Sequence, residues 1–118
     1  MSAYNPFSLE NKTILITGAS SGIGKSTAIE SSKMGAKVIL VDIDKKGLIE
    51  TFNTIKINRE HEYYDIDISE EPQIENLVSL IPKLDGFANI AGIGITSPIQ
   101  FFRKEDIDRV YSVNLFGP

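Results

Sequence analysis

The sequence predicts an α/β fold, a doubly wound parallel sheet with helices on both faces, and three observations carry that prediction. Short apolar runs alternate with segments of helical period along the chain. A glycine-rich turn, TGASSGIG from Thr17 to Gly24, joins the first run to the first helical segment. An acid, Asp42, stands at the end of the second run. Runs joined by helix-length connections pair in parallel through right-handed crossovers.

Taken in order, Thr13 to Thr17 (TILIT) is a β-branched apolar segment that reads as a strand buried on both faces, central in the sheet. Ile23, Thr27, Ala28, Ser31 and Met34 then recur at helical spacing, and Gly35 is a stop signal. Lys37 to Val41 (KVILV) is a second buried strand, and Asp44 to Ile55 a looser helix. Glu62 to Ile66 reads as a third strand. Ser69, followed by Glu70, Glu71 and Pro72, is the expected N-cap of a helix whose face carries Ile74, Leu77, Val78 and Ile81. Gly86 to Ile90 (GFANI) is a short fourth strand, followed by a glycine-rich loop containing Pro98. From Lys104 onward Ile107, Val110, Val113 and Asn114 form a helical stripe that is still running at Pro118.

Composition narrows the function classes. The 118 residues suit one domain, spanning 1–118, and 42% apolar with 24% charged residues is ordinary for a globular chain. A net charge of −4 supplies no basic field, so neither nucleic acid nor an anionic membrane is an expected partner, and small molecules are favoured. Cysteine is absent, which excludes disulfides and thiolate metal sites and agrees with a reducing, cytoplasmic setting; no metal site is expected. No stretch approaches the ~20 apolar residues that span a bilayer, and the N-terminus has no leader pattern.

The glycine turn has the context of a dinucleotide fingerprint: a buried strand before it, a helix after it and an acid about 20 residues on. Gly18 permits the tight turn, while Gly22 and Gly24 let a pyrophosphate and the helix approach the backbone, with Ser20, Ser21 and Ile23 between them. As bare structure the same glycines would make only a sharp strand-to-helix connection, and Asp42 would be a helix N-cap or a solvated turn residue. Asp42 at a strand end suits both adenosine ribose hydroxyls and repels a 2′-phosphate, and no Arg or Lys occupies 19–23 or 43. NAD is therefore expected over NADP. Lys45 and Lys46 lie nearby and read as a solvated helix start.

The spacing TGxxxGxG resembles the short-chain dehydrogenase/reductase family, a group with Rossmann-like folds. DISEEPQI supports the likeness, placing Asp67 and Ile68 where the family contacts adenine, with Asp65 as the alternative frame. Asn89, Ile90, Ala91 and Gly92 match the family's N-N-A-G except at Ile90, and Asp85 lies a few residues upstream. Asn114 in SVNLFG matches the family's helix Asn, which helps hold a water and a catalytic Lys in a proton relay. The resemblance covers Leu9 to Pro118.

It implies an NAD(P)-dependent oxidoreductase passing hydride between nicotinamide and an alcohol or ketone, and a homo-oligomer formed through the Asn114-bearing helix and the one that follows it in the family. It also implies a chain truncated after the fourth strand and following helix, because the family's catalytic Ser and Tyr-x-x-x-Lys come later. The residues four beyond Tyr4, Tyr63, Tyr64 and Tyr111 are Ser8, Asp67, Ile68 and Leu115. The 118 residues alone are therefore expected to be inactive, with the fourth strand an open edge. His61 is expected at a strand-edge surface, and Ile99, Phe101 and Phe102 over a core or neighbouring helix. The competing readings are a non-catalytic dinucleotide-binding module and a Rossmann-like methyltransferase.

Overall fold

Side chains that alternate along two central strands build two separate cores. The strands are β1, Thr13–Thr17, and β2, Lys37–Asp42, in a computed structural model that describes residues 4–56 and 60–118. Successive strand side chains point to opposite faces. Ile16, Val38 and Leu40 accordingly pack with Ala28 of helix α1 (Gly22–Lys33) and with Leu48 and Ile55 of α2 (Lys45–Ile55). Leu15, Ile39 and Val41 turn the other way and pack with Leu77 of α3 (Glu71–Leu80). Helices on both faces make the sheet doubly wound.

β3 (Glu62–Asp65) and β4 (Gly86–Asn89) complete a parallel sheet of order β3-β2-β1-β4. Its register sets Thr17 level with Val41 and Asn89, and Asp42 level with Asp65, so the carboxyl ends of all four strands open on one edge. In such sheets that edge, where the strand order reverses, is where ligands bind. β4 is an edge strand among the described residues, as expected from the sequence.

Several local expectations change once packing is seen. On α1 the buried residues are Gly24, Ala28 and Ser32, whereas Ile23 is 74% exposed, because close approach of the first turn to the glycine loop rotates the helix onto its smallest residues. On α3 only Leu77 is buried and Val78 is exposed. Ser69 is not the cap of that helix: Glu70 holds the cap position, and the Ser69 hydroxyl donates to Asp67 instead. A carboxylate is the stronger acceptor for it. Ile99, Phe101 and Phe102, in and after a 3-10 turn at Ile99–Phe101, cover no core and are exposed. The last helix, α4 (Lys104–Tyr111), runs into a π-helical turn at Ser112–Phe116, and of the expected stripe Val113 is buried while Ile107, on α4 itself, is exposed.

His61 is the clearest correction. It lies inside, 7% exposed, rather than at the surface. Its Nδ1 accepts the Val38 N–H at 2.9 Å, which leaves Nε2 to carry the ring proton toward the Ser32 hydroxyl at 3.2 Å. The ring thus ties the start of β2 to α1. His61→Ala is expected to lower stability by about 1–3 kcal/mol, since it orphans a buried donor; a thermal melt unchanged from wild type would refute that role.

Among the described residues no helix is long and apolar enough to cross a membrane, and no group of three His, Asp or Glu could hold a metal ion.

Candidate dinucleotide site

A cavity of about 360 Å³ opens at the carboxyl edge of the sheet. One wall is the loop between β1 and α1. Gly18 takes φ +73°, and a Cβ there would stand 2.8 Å from the Ala91 nitrogen. Gly24 touches the same loop from the helix side, where a Cβ would run into the Gly18 carbonyl. Thr17 fastens this loop to the turn after β4: its hydroxyl oxygen accepts the N–H groups of Ile90 and Ala91, each at 3.1 Å, and its proton goes to Asn89 Oδ1 at 3.2 Å. Ser21 caps α1 without a side-chain hydrogen bond. The helix N-terminus therefore keeps donors and positive dipole for an anion.

Asp42 forms the next part of the wall and is held before any ligand arrives. Oδ2 accepts the Ser20 N–H and Oδ1 the Asp44 N–H, both at 3.0 Å. The first bond locks the acid to the glycine loop; the second holds it clear of α2, which is capped by Asp44 through the Gly47 N–H. A carboxylate has about four lone-pair sites, so two are left for a pair of hydroxyls. Lys45 and Lys46 are exposed at the start of α2, as expected.

Asp67 closes the far end. Ser69 donates to its Oδ1 through both N–H (2.9 Å) and hydroxyl (2.6 Å). The Ser69 hydroxyl bond is the main cause holding the Asp67 carboxyl below its ordinary range, opposed by partial burial and assisted by the Ser69 N–H and the Arg109 charge. It is therefore an ionised acceptor at neutral pH. Asp65, the alternative frame, is exposed and does not line the cavity.

Asn114 is placed by the π turn against the loop after β4. Its Oδ1 accepts the Ile93 N–H and its Nδ2 donates to the Ile93 carbonyl, both at 2.8 Å. A Cβ on Gly92 would sit 3.3 Å from that Oδ1. The extra residue in a π turn shifts the following side chains around the helix axis, and such turns recur at functional sites. Here the shift aims the carboxamide at a backbone segment whose two polar groups it satisfies.

Of the residues singled out in the sequence, Gly18, Ser20, Ser21, Gly22, Ile23, Gly24, Asp42, Asp67, Ile68, Ala91 and Gly92 line this one cavity. Asn89 does not: its side chain accepts from Thr17, and it lines a second cavity beside α3. Asn114 is exposed and does not line the first cavity either; it acts through Ile93, which does. The sequence reading missed Val41, Ile43, Ile66, Ile90, Ile93, Arg109 and Val113 as lining residues. Ile43 and Ile66 adjoin Asp42 and Asp67, so proximity in sequence could have found them; Arg109 and Val113 share a helix face at i, i+4.

The wall suits a dinucleotide. It combines a close-packed glycine loop at a helix N-terminus, an immobilised acid for vicinal hydroxyls, a second acid at the far end and apolar Ile43, Ile66, Ile68 and Val113 between them. A Cβ on Gly22 would meet nothing within 4 Å, so its space lies open to a ligand.

Comparison with known proteins finds a family and several relatives. The profile of the short chain dehydrogenase family matches residues 12–118. The chain is 34% identical to levodione reductase of Leifsonia aquatica over 119 residues, covering 91% of this chain and 43% of that protein. Among solved structures, the citronellol catabolism dehydrogenase of Pseudomonas aeruginosa PAO1 superposes with a TM-score of 0.85 at 30% identity, over 98% of this chain and 49% of the other. The 3-ketoacyl-(acyl-carrier-protein) reductase of Brucella melitensis, solved with NADH, gives 0.79 at 36% identity, over 93% and 47%. The chain spans less than half the length of each.

Proposed function

The chain belongs to the short-chain dehydrogenase family, and on that premise we propose that it is the cofactor-binding half of an NAD-dependent oxidoreductase acting on an alcohol or carbonyl compound. The observation that carries the reading is Asp42, immobilised by Ser20 and Asp44 on the cavity wall with lone pairs to spare for two ribose hydroxyls. The relative solved with NADH supports a nicotinamide dinucleotide as the ligand.

Each residue has a role in that reading. Gly18, Gly22 and Gly24 shape the loop that receives the pyrophosphate, Ser20, Ser21 and Ile23 line it, and the start of α1 supplies N–H donors. Asp42 takes the adenosine ribose. Asp67 and Ile68 take the base, and Ala91 and Gly92 follow the dinucleotide along the opposite wall. Asn89 contributes from behind, by taking the Thr17 proton and so orienting the hydroxyl that fixes Ile90 and Ala91. Asn114 belongs to the catalytic side through its grip on Ile93. Bound nicotinamide supplies hydride chemistry. The proton that must accompany it has no Tyr-x-x-x-Lys pair to carry it within these 118 residues.

Fluorescence titration of the purified chain should therefore show NADH binding tighter than NADPH binding, with no oxidation or reduction of alcohols or ketones. Turnover by this chain, or tighter NADPH binding, would overturn the respective half of the proposal. Homo-oligomerisation through α4 and the π turn is part of the same reading, supported by exposed Ile107, Tyr111, Leu115 and Phe116. Sedimentation velocity on the same sample tests it, and a strict monomer removes it.

A further inference from the structure

The head of the glycine loop is held by a single stretch of chain, β2 and the helix that follows it. The Ala19 N–H donates to the Val41 carbonyl at 3.2 Å, the Ala19 carbonyl accepts the Thr51 hydroxyl at 2.8 Å, and the Ser20 N–H donates to Asp42 Oδ2 at 3.0 Å. Thr51 lies in the middle of α2 and is fully buried, as is Ala19. α2 contributes no residue to the cavity wall. Gly47, one turn before Thr51, seats the helix on the loop: a Cβ there would stand 2.9 Å from the Ser20 Cβ. A helical threonine hydroxyl ordinarily returns to the carbonyl four residues back. Thr51 has that acceptor, the Gly47 carbonyl, at 3.2 Å, but the Ala19 carbonyl is nearer and takes the larger share of its one proton.

We propose that Thr51 is a positioning residue for the dinucleotide, presetting the glycine loop from a helix that lines no part of the cavity. The inference rests on the cofactor reading above. The Ala19 carbonyl and the Ser20 N–H belong to one planar peptide unit and point opposite ways, so neither turns alone. Thr51 holds one end of that unit and Asp42 the other. Loss of the hydroxyl deprives a buried carbonyl of its donor, and the unit relieves this by rotating. The same rotation takes the Ser20 N–H off Asp42, so the loop and the acid lose their shared geometry together. A dinucleotide must then restore that geometry at the expense of its own affinity.

Hydrogen exchange and NADH titration on three chains test this: wild type, Thr51→Val, which keeps the shape, and Thr51→Ser, which keeps the hydroxyl. In the wild-type chain without ligand, the Ser20 amide is expected to exchange at least roughly tenfold more slowly than an unprotected amide. Free exchange until NADH is added would mean that the ligand builds the loop, and would overturn the proposal. Thr51→Val should lose protection at Ser20 while the amides of β1 and β2 keep theirs. Below its melting temperature it should bind NADH roughly three- to tenfold more weakly, with Thr51→Ser recovering both properties. A merely structural role would lower the melt and leave Ser20 exchange and NADH affinity of the folded variant unchanged, which also overturns the proposal. If Thr51→Val does not fold, the wild-type exchange of Ser20 decides alone. Absence of NADH binding by the wild-type chain would instead overturn the cofactor reading, and Ser20 exchange, which needs no ligand, tells the two failures apart.

Discussion

Gly24→Ala is expected to destabilise the chain by about 3 kcal/mol or more and to abolish dinucleotide binding as a consequence. The added methyl has no room: it would overlap the carbonyl of Gly18 and stand 2.5 Å from its carbon and 3.1 Å from the Ala19 nitrogen, all backbone atoms. No rotamer change relieves a clash between backbones, so α1 must lift off the loop, and with it go contacts of the core that Ala28 shares with Ile16 and Leu48. Gly22→Ala is the informative partner. Its φ of +53° costs an L-residue about 1–2 kcal/mol, but nothing lies within 4 Å of the new methyl. It should melt only slightly below wild type while losing NADH affinity by at least about tenfold, because the methyl occupies space at the helix N-terminus. Thermal melts paired with NADH titrations separate the two. A Gly24→Ala melt matching wild type would discredit the packing argument, and undiminished NADH binding by Gly22→Ala would discredit the loop as a pyrophosphate cradle.

Asp42→Ser should reverse the cofactor preference. The native carboxylate can accept two charge-assisted hydrogen bonds from the ribose, each worth about 1.5–3 kcal/mol, and it repels a 2′-phosphate. Serine keeps a short acceptor for the Ser20 N–H but gives up the charge. NADH affinity is expected to fall by roughly ten- to a hundredfold, while NADPH binding holds or rises once the Asp42 charge is gone. Parallel titrations read the switch. If the variant keeps the wild-type preference for NADH, Asp42 is not the ribose ligand.

How much of this was legible in the sequence depends on the range of the interaction involved. All four strands and the helices near their predicted bounds follow from hydrophobic period and from Gly and Pro punctuation. The glycine loop and Asp42 follow from a motif whose spacing is set by the local path of strand, turn and helix. Those signals are carried by residues within a turn or two of each other. Ile23, Val78 and Ile107 fit helical spacing as well as their buried neighbours do, yet they are exposed, because the rotation of a helix about its axis is decided by what it packs against. His61 reads as polar and so as surface, but its two ring nitrogens find partners in Val38 and Ser32, 23 and 29 residues away.

The sequence by itself determined the fold class, the order of the elements and the chemistry of the loop, since strand and helix periodicity and glycine stereochemistry are properties of neighbouring residues. Only the tertiary structure decided which of the marked residues share one cavity. Thr17 joining Ala91 across 74 residues, Asn114 gripping Ile93 across 21 and Ser20 anchoring Asp42 across 22 are hydrogen bonds that exist only once the sheet has brought its strand ends level. That registration is a collective result of packing both faces, which is why Arg109 lines the cavity while Asn89 and Asn114 do not.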